Sequence, residues 1–512
     1  MFYSVFMGYF VRSIKTGSGA TAVQVVSKFR GKRRIEAHIG SAHSPEGVEA
    51  LKQAARERVD QLERETGQQE FDFGSSGGVS AGGGVRLSGA YSRVLYETLV
   101  GVYDGLGFHA ALQDRVFRDL VVARVIRPAS KRETITILDR LGVGSPSYSS
   151  IHRALNRSVE RDYREKISTA CVGVRGVQRL TLVLYDVTTL FFQVEREDEY
   201  RKPGLSKERR LEPQIVVGLL ADAQGFPLQV HSFEGNTAET LTLVPVLDAF
   251  SRTHPGVTVT VVCDAGMLSA KNMVALEEAG YDFVVGSKIA KTPYDIAEYQ
   301  SDGTHLSDGQ IFDTTASFGH GTARRKRRVV YQYREKRARL DLKNIDTQIT
   351  KAQRVINGTT PVKKNRFLTL TNHKHTLNTR LIDIARARAG IKGYVTSLTP
   401  TQAPPEQIIS WYHQLYHVEA AFRMAKTDLK ARPIYHRIRE KIEAHLTIVF
   451  AAMAISTTIQ ERTGLSIKRV VTLLEPIRDG TLTINGKQHH IPADIPDNIH
   501  HLINQLTQKT GH

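Results

Sequence analysis

The sequence predicts an α/β protein built on a mixed sheet, and three observations lead to that expectation. Strand-like runs at Arg179 to Asp186, Gln214 to Asp222 and Pro227 to Glu234 follow one another with no helical pattern between them. The last two are joined by the short turn Ala223 to Phe226, which suits antiparallel neighbours. Helical stretches then lead to two more strands. Asn236 to Phe250, with Glu239 three residues after Asn236 as in a capping box, precedes the strand Val257 to Asp264, and Ser269 to Gly280 precedes Tyr281 to Ser287. Crossovers through helices suit parallel additions to the sheet.

The remaining elements fall around this block. A chain of 512 residues is expected to form three or four domains. Residues 1–73 read as a small β-rich unit followed by a helix, and the run from Gly74 to Gly84 reads as a flexible Gly/Ser linker within 74–90. Its glycines lack the Gly-Lys-Ser/Thr ending of a phosphate loop. Residues 91–170 are helical in pattern. Two amphipathic helices surround a Gly/Pro/Ser turn at Gly142 to Ser147, an arrangement similar to a helix-turn-helix, with Ser149, Ser150, His152 and Arg153 placed to touch DNA. An ordinary helical hairpin fits the same pattern.

Composition narrows the partners. A net charge of +18 implies a polyanion, with nucleic acid first and an acidic membrane surface second. The sequence shows no apolar run of about 18 residues to span a bilayer. The apolar opening Met1 to Arg12 lacks the basic start and cleavage site of a signal peptide and reads as a first strand. Cys171 and Cys263 have no metal-type spacing and are compatible with a reducing cytosol. The paired histidines at His489 and His500 and the cluster at His373 read as solvated surface.

Leu180, Leu182 and Leu184 alternate with Thr181, Val183 and Tyr185 as in a buried strand, and then comes a bare carboxylate, Asp186. Burying it alone is costly. It can accept hydrogen bonds from the Val-Thr-Thr backbone that follows, or it can be a metal ligand at a strand end. Asp264 ends the fourth strand as Asp186 ends the first, and β-β-β-α-β-α-β is the order of a ribonuclease H-like fold. If the two strands are neighbours, their carboxylates lie side by side, which is unfavourable unless a cation sits between them. Hard oxygen ligands suit magnesium or manganese.

A third carboxylate is expected on a later helix, Ser410 to His436, which Pro433 should end. At 100° per residue Tyr412, Glu419 and Lys426 fall within about 20° of one line, with Arg423 about 40° away. An exposed helix with spaced ion pairs fits that pattern too. Of the rival acids, Glu406 belongs to the helix start, Asp428 lies half a turn away, and Glu440 and Glu443 lie beyond Pro433. Trp411, the sole tryptophan, reads as core.

With these residues in view, the chain resembles bacterial insertion-sequence transposases of the DDE class. The motifs are Tyr185 to Leu190, Val261 to Ser269, Phe233 to Leu247 and Leu415 to His436. The closest branch has a tyrosine-arginine-glutamate-lysine signature, met here by Tyr412, Glu419 and Lys426, and a β-rich insertion before the glutamate. Leu415 stands where that signature has arginine, so Arg423 is the candidate to take its place. The long interval from Asp264 to Glu419 implies the insertion, 291–390, between catalytic segments 171–290 and 391–460, with 461–512 as a C-terminal segment. The insertion carries the basic run Arg324, Arg325, Arg327 and Arg328, read as phosphate contacts although a solvated face fits as well.

The resemblance implies phosphoryl transfer on DNA with two Mg2+ or Mn2+ ions held by Asp186, Asp264 and Glu419. Thr188 would support Asp186, and Lys426 would hold a phosphate. It also implies a homodimer or larger assembly on paired terminal inverted repeats, target DNA as second substrate, and a cytoplasmic, nucleoid-associated setting. The alternatives are a nuclease of the same fold without strand transfer and an inactive DNA-binding descendant, whose expected mark is a damaged triad. This triad is intact in sequence.

Overall fold

A computed structural model describes residues 8–17, 19–29, 32–67, 86–176, 180–193, 197–205, 212–267, 269–287, 296–298, 305–319, 321, 324–361, 365–371, 374–484 and 487–508. The Gly/Ser run Gly74 to Gly84 and His373 lie outside these residues. The chain divides into two compact units, Met1–Gly82 and Gly83–His512.

In the first unit β1 (Gly8–Lys15), β2 (Thr21–Phe29) and β3 (Lys32–Ala42) form an antiparallel meander, followed by α1 (Pro45–Gly67). Val23 and Val25 of β2 and Ala55 of α1 are fully buried between sheet and helix. This is the β-rich unit with a helix that the sequence predicts.

The second unit opens with β4 (Arg86–Tyr91) and six helices: α2 (Arg93–Gly105), α3 (Phe108–Leu112), α4 (Arg115–Ile126), α5 (Lys131–Arg140), α6 (Tyr148–Glu160) and α7 (Tyr163–Arg175). Ser130 and Ser147 cap α5 and α6, and Ser147 Oγ accepts from the Ser150 amide at 3.1 Å. Ile137 and Leu138 of α5 and Ile151, Ala154 and Leu155 of α6 are buried, whereas Ser149 and Arg153 stay on the surface.

Next come β5 (Leu182–Phe191), β6 (Gln214–Asp222), β7 (Pro227–Glu234), α8 (Leu243–Thr253), β8 (Thr260–Cys263), α9 (Ala270–Glu278) and β9 (Asp282–Ser287). β5, β8 and β9 are parallel, and β6 and β7 extend the sheet antiparallel, as the ribonuclease H-like order requires. Two details differ from expectation. The helix of the first crossover starts at Leu243, after a short 3-10 turn, and Asn236 does not cap it. Asp186 lies within β5 rather than at its end, because β6 pairs with β5 as far as Phe191.

The expected insertion is divided between the sheet and a small subdomain. β10 (Ile311–Phe318) and β11 (Arg325–Tyr333) join the main sheet, which continues through β14 (Ile391–Thr396) to β9. The strand order is β10-β11-β14-β9-β8-β5-β6-β7. Between β11 and β14 lie α10 (Glu335–Ile356), the hairpin β12 (Leu368–Thr371) and β13 (Lys374–Leu377), and α11 (Thr379–Ala387). Ile345, Phe367 and Ile382 give this part its own buried cluster. The insertion is therefore not simply β-rich: β10 and β11 serve the main sheet, and the projecting part combines two helices with the separate hairpin β12–β13.

The basic run also needs correction. Arg324 and Arg325 are exposed, but Arg327 and Arg328 are buried on β11. Arg327 makes a two-pronged pair with Glu277 at 2.6 and 2.8 Å. Arg328 does the same with Asp313 at 2.8 and 2.6 Å and also donates to the Ala403 carbonyl at 2.8 Å. Guanidinium groups held this way are structural, not phosphate contacts.

After β14 come α12 (Pro405–His413), α13 (Leu415–Thr427), α14 (Arg439–Thr463), α15 (Ile467–Leu474), β15 (Asp479–Ile484), β16 (Lys487–Ile491) and α16 (Asp497–Thr507). α14 is long and apolar enough to cross a membrane, yet it is buried inside the protein along most of its length. It is the core helix against which α4, α6, β7 and α13 rest. β15 pairs with both β16 and β4, so the C-terminal segment closes on the start of the unit. Arg328→Ala should cost about 1–3 kcal/mol in urea unfolding, since it leaves the buried Ala403 carbonyl without its donor. Arg325→Ala should stay within about 0.5 kcal/mol; equal costs would contradict the burial.

Candidate active site

Strand pairing brings the first two carboxylates together. β5 and β8 are parallel and in register from Leu182↔Thr260 to Tyr185↔Cys263. Asp186 and Asp264 are the next residue on each chain, and registered neighbours in a parallel sheet project to the same face. Thr188, two residues on, shares that face with Asp186.

Helix α13 packs on β5 through its apolar side, with Leu415, Val418, Phe422 and Ala425 buried. Its other side presents Glu419 and Arg423 to solvent, with Lys426 half-buried. One cavity of about 390 Å³ is lined by Asp186, Thr188, Asp264, Leu415, Glu419, Phe422, Arg423 and Lys426. The structure thus brings together the three sequence-predicted acids, the candidate supporting threonine and two of the candidate phosphate contacts. Among the described residues no three acids, histidines or cysteines converge into a ready-made metal cage. Like-charged carboxylates with no cation between them are expected to stand apart.

Tyr412 reaches the same aspartate by another route. The expected single helix is broken at Gln414, where the Gln414 amide bonds to the Trp411 carbonyl and the His417 amide to the Gln414 carbonyl, each three residues back. Tyr412 therefore belongs to α12, while Glu419 and Lys426 belong to α13, so a single helical wheel does not relate them. Nevertheless the Tyr412 hydroxyl donates to Asp264 Oδ1 at 2.7 Å. Burial, then the bond to Asp264, pushes this phenol well above its ordinary pKa and keeps it a donor. Trp411 is partly buried and packs against the main core, in line with its expected place.

α13 also ends earlier than Pro433 suggests. It stops at Thr427, Lys430 turns through the left-handed region at φ 44°, and the Ala431 amide closes on the Ala425 carbonyl at 2.8 Å. Two of the rival acids are engaged elsewhere. Asp428 pairs with Lys468 at 2.8 Å. Glu443 on α14 meets Arg164 at 2.7 Å and accepts from Tyr200 and Ser232. Glu406 sits in the first turn of α12.

One residue escaped sequence reasoning. Lys392, on β14, lies with its Nζ 4.2 Å from the centre of the Tyr412 ring. Burial, then Arg337, depresses its pKa, while Asp264 and Glu419 act in the opposite direction, so its ammonium feels both carboxylates. A second cavity of about 690 Å³ shares Asp264 with the first and adds Tyr412, Lys392, Arg337, Arg366 and Arg388. The sequence signal was available. A single lysine in the strand Ile391–Thr396 is the cationic counterpart of the aspartate in β5.

Cys263 lies beneath the acids and is inert. Burial, then Asp264 and Asp186, raises its thiol pKa far above the ordinary value. That leaves an all-oxygen donor set, which fits hard divalent cations.

A ribonuclease H-like sheet with three carboxylates around one cavity is the frame of DDE-class transposases. Residues 180–455, more than half of the chain, match the family described as "Transposase DDE domain", and the chain belongs to that family. No curated protein matches it significantly. Among solved structures it is similar to a piggyBac transposase in a synaptic complex with hairpin DNA, with 10% identity and a TM-score of 0.36 over 75% of this chain and 70% of that one.

The tyrosine can lie against β9 because residue 286 is glycine: a Cβ there would stand 2.6 Å from the Tyr412 hydroxyl oxygen. Gly286→Ala should destabilise the protein by about 1–3 kcal/mol. Adding Tyr412→Phe should recover much of that loss, because the closest clash is with the hydroxyl. Purely additive costs in urea unfolding of the double variant would contradict the contact.

Proposed function

We propose that this transposase-family protein is a bacterial insertion-sequence enzyme of the branch with the tyrosine-arginine-glutamate-lysine signature. It would cut DNA at the terminal inverted repeats of its own element and join the freed 3′ ends to target DNA. The observation that supports this reading best is that Asp186, Asp264 and Glu419 line the same cavity as Arg423 and Lys426. Acids that hold cations and bases that hold phosphate are the two requirements of phosphoryl transfer without a protein nucleophile.

Asp186, Asp264 and Glu419 would hold two Mg2+ or Mn2+ ions, which when bound supply an activated water or 3′-hydroxyl and neutralise charge on the leaving oxygen. The chain's own part is positioning. Tyr412 orients Asp264 by donating to Oδ1, which leaves its other oxygen available to a cation. Thr188 lines the cavity two residues after Asp186 and is its candidate supporting hydroxyl. Lys426 and Arg423 are the candidate contacts to the phosphates beside the cut, Arg423 taking the place of the signature arginine absent at Leu415. Arg324 and Arg325 remain candidate DNA contacts on the surface of the insertion.

A homodimer or higher oligomer on paired ends, working in the bacterial cytoplasm, belongs to the same proposal and rests on the resemblance of the motifs. The test uses purified protein, Mg2+ and DNA carrying the repeats that flank its own gene. Asp186→Asn, Asp264→Asn and Glu419→Gln should each lower cleavage by about 10³-fold or more, the equivalent of several kcal/mol of lost charge stabilisation. Asp428→Asn should keep most of it. Cleavage without joined product would favour a nuclease, and near-normal cleavage by Glu419→Gln would overturn the assignment of the triad.

A further inference from the structure

Away from the acids, the turn that ends α13 covers a concentration of positive charge. Arg124, in the last turn of α4, is 9% exposed and meets no carboxylate among the described residues. Its nearest partners are the Leu429 carbonyl at 3.4 Å and His445 Nδ1 at 3.5 Å. His445, buried on α14, has its Nε2 3.1 Å from the Ala431 carbonyl. Nε2 donates there, so Nδ1 is the acceptor and the ring is neutral. The His436 ring centre is 5.8 Å from that of His445, and His436 is half-buried at the rim.

Lys131 completes the group. It is half-buried at the first position of α5, where the helix N-terminus adds positive potential. Burial, then Arg124, pushes its ammonium down to about 7, and burial pushes the Arg124 guanidinium down to about 10. The charged groups that act on His436 are Lys131, Arg124, His152 and Lys441, all bases. The Lys441 ammonium caps the far side by donating to the His152 carbonyl at 3.2 Å.

A guanidinium buried without a counter-ion is costly, and a second cation beside it raises the cost. Such a group is stable and useful when an anion completes it. Lys131, His436 and His152 are each half-buried, so the group opens to solvent at its rim. The Leu429 and Ala431 carbonyls at its floor belong to the turn that directly follows α13, the helix of Glu419 and Lys426. We propose that Arg124, Lys131 and His436, with His445 orienting Arg124, form a second phosphate site, which seats a backbone phosphodiester of the bound duplex away from the scissile one. The inference rests on the reading that the protein binds DNA and adds to it a contact outside the acidic cavity, at the edge of the helix-turn-helix-like pair α5 and α6. Filling this site would also brace the turn that fixes the end of α13.

The test is the salt dependence of binding to a duplex of about 40 base pairs by the full-length protein in EDTA, where no cleavage occurs. Each phosphate contact contributes about 0.9 to the log–log slope. Lys131→Gln should lower the slope by about one unit and weaken binding about 10-fold near physiological salt, and Lys131→Arg should restore both. In the wild-type protein, DNA should protect Lys131 from acetylation as read by mass spectrometry, which keeps the test open if the Gln variant folds poorly. An unchanged slope, or Lys131 acetylated equally with and without DNA, would overturn the proposal. So would stabilisation of the wild type, but not Lys131→Gln, by inorganic phosphate with no change in DNA slope, since that would mark a free-anion site. The catalytic reading is tested by cleavage in Mg2+ and this one by the salt slope in EDTA, so failure of either is a separate result.

Discussion

The register between two parallel strands is the constraint on which the site depends. Tyr185 opposite Cys263 makes Asp186 and Asp264 neighbours on one face of the sheet. A slip of one residue would turn one of the acids to the other face. The register is held by complete burial on both strands before the acids are reached: Val183, Leu184 and Tyr185 on β5, and Val261, Val262 and Cys263 on β8. The hydrophobic effect therefore fixes the position of two charges that electrostatics alone would drive apart. Stability and electrostatics oppose each other here, and the proposed divalent cation would reconcile them.

The surrounding elements keep that arrangement from relaxing. β6 and β7 complete one side of the sheet, and β9, β14, β11 and β10 complete the other. The buried arginines Arg327 and Arg328, paired with the surface acids Glu277 and Asp313, tie the outer strands to α9 and to each other. β9 brings Gly286 under Tyr412, and Tyr412 holds Asp264 by one oxygen. α13 then lays Glu419 over the same face, with its end fixed by the turn above α14. Lys392, from the strand that returns from the insertion, ties the insertion to the carboxylates.

Much of this was legible in the sequence because local patterns carried it. The ends of β6 and β7 fall where alternation and turn residues put them, and Asp186 and Asp264 stood out because a charge in an apolar strand needs a reason. Long-range partners were not legible. Nothing in the run Arg324 to Arg328 distinguishes the two exposed arginines from the two that meet Glu277 and Asp313. The break at Gln414 lacks a proline or glycine to announce it, so one helix ended by Pro433 was the natural reading of Ser410 to His436. The Asn236 capping pattern was genuine in spacing but lost to a turn that bonds Thr237 to Glu234. β4 and β15 pair across nearly the whole second unit, a contact no local pattern could disclose.

The positive charge of the chain likewise separates into kinds. Some of it is structural, in buried arginines. Some lines the cavity with the acids, and some lies beneath the turn after α13 without an acid to match. The central claim remains that the β5–β8 register builds a cation site. Anomalous diffraction from crystals grown with Mn2+ tests it most directly. The account predicts a peak between the carboxylates of Asp186 and Asp264, with Glu419 close enough to share in its coordination. Manganese bound elsewhere, with those two aspartates left apart, would contradict it.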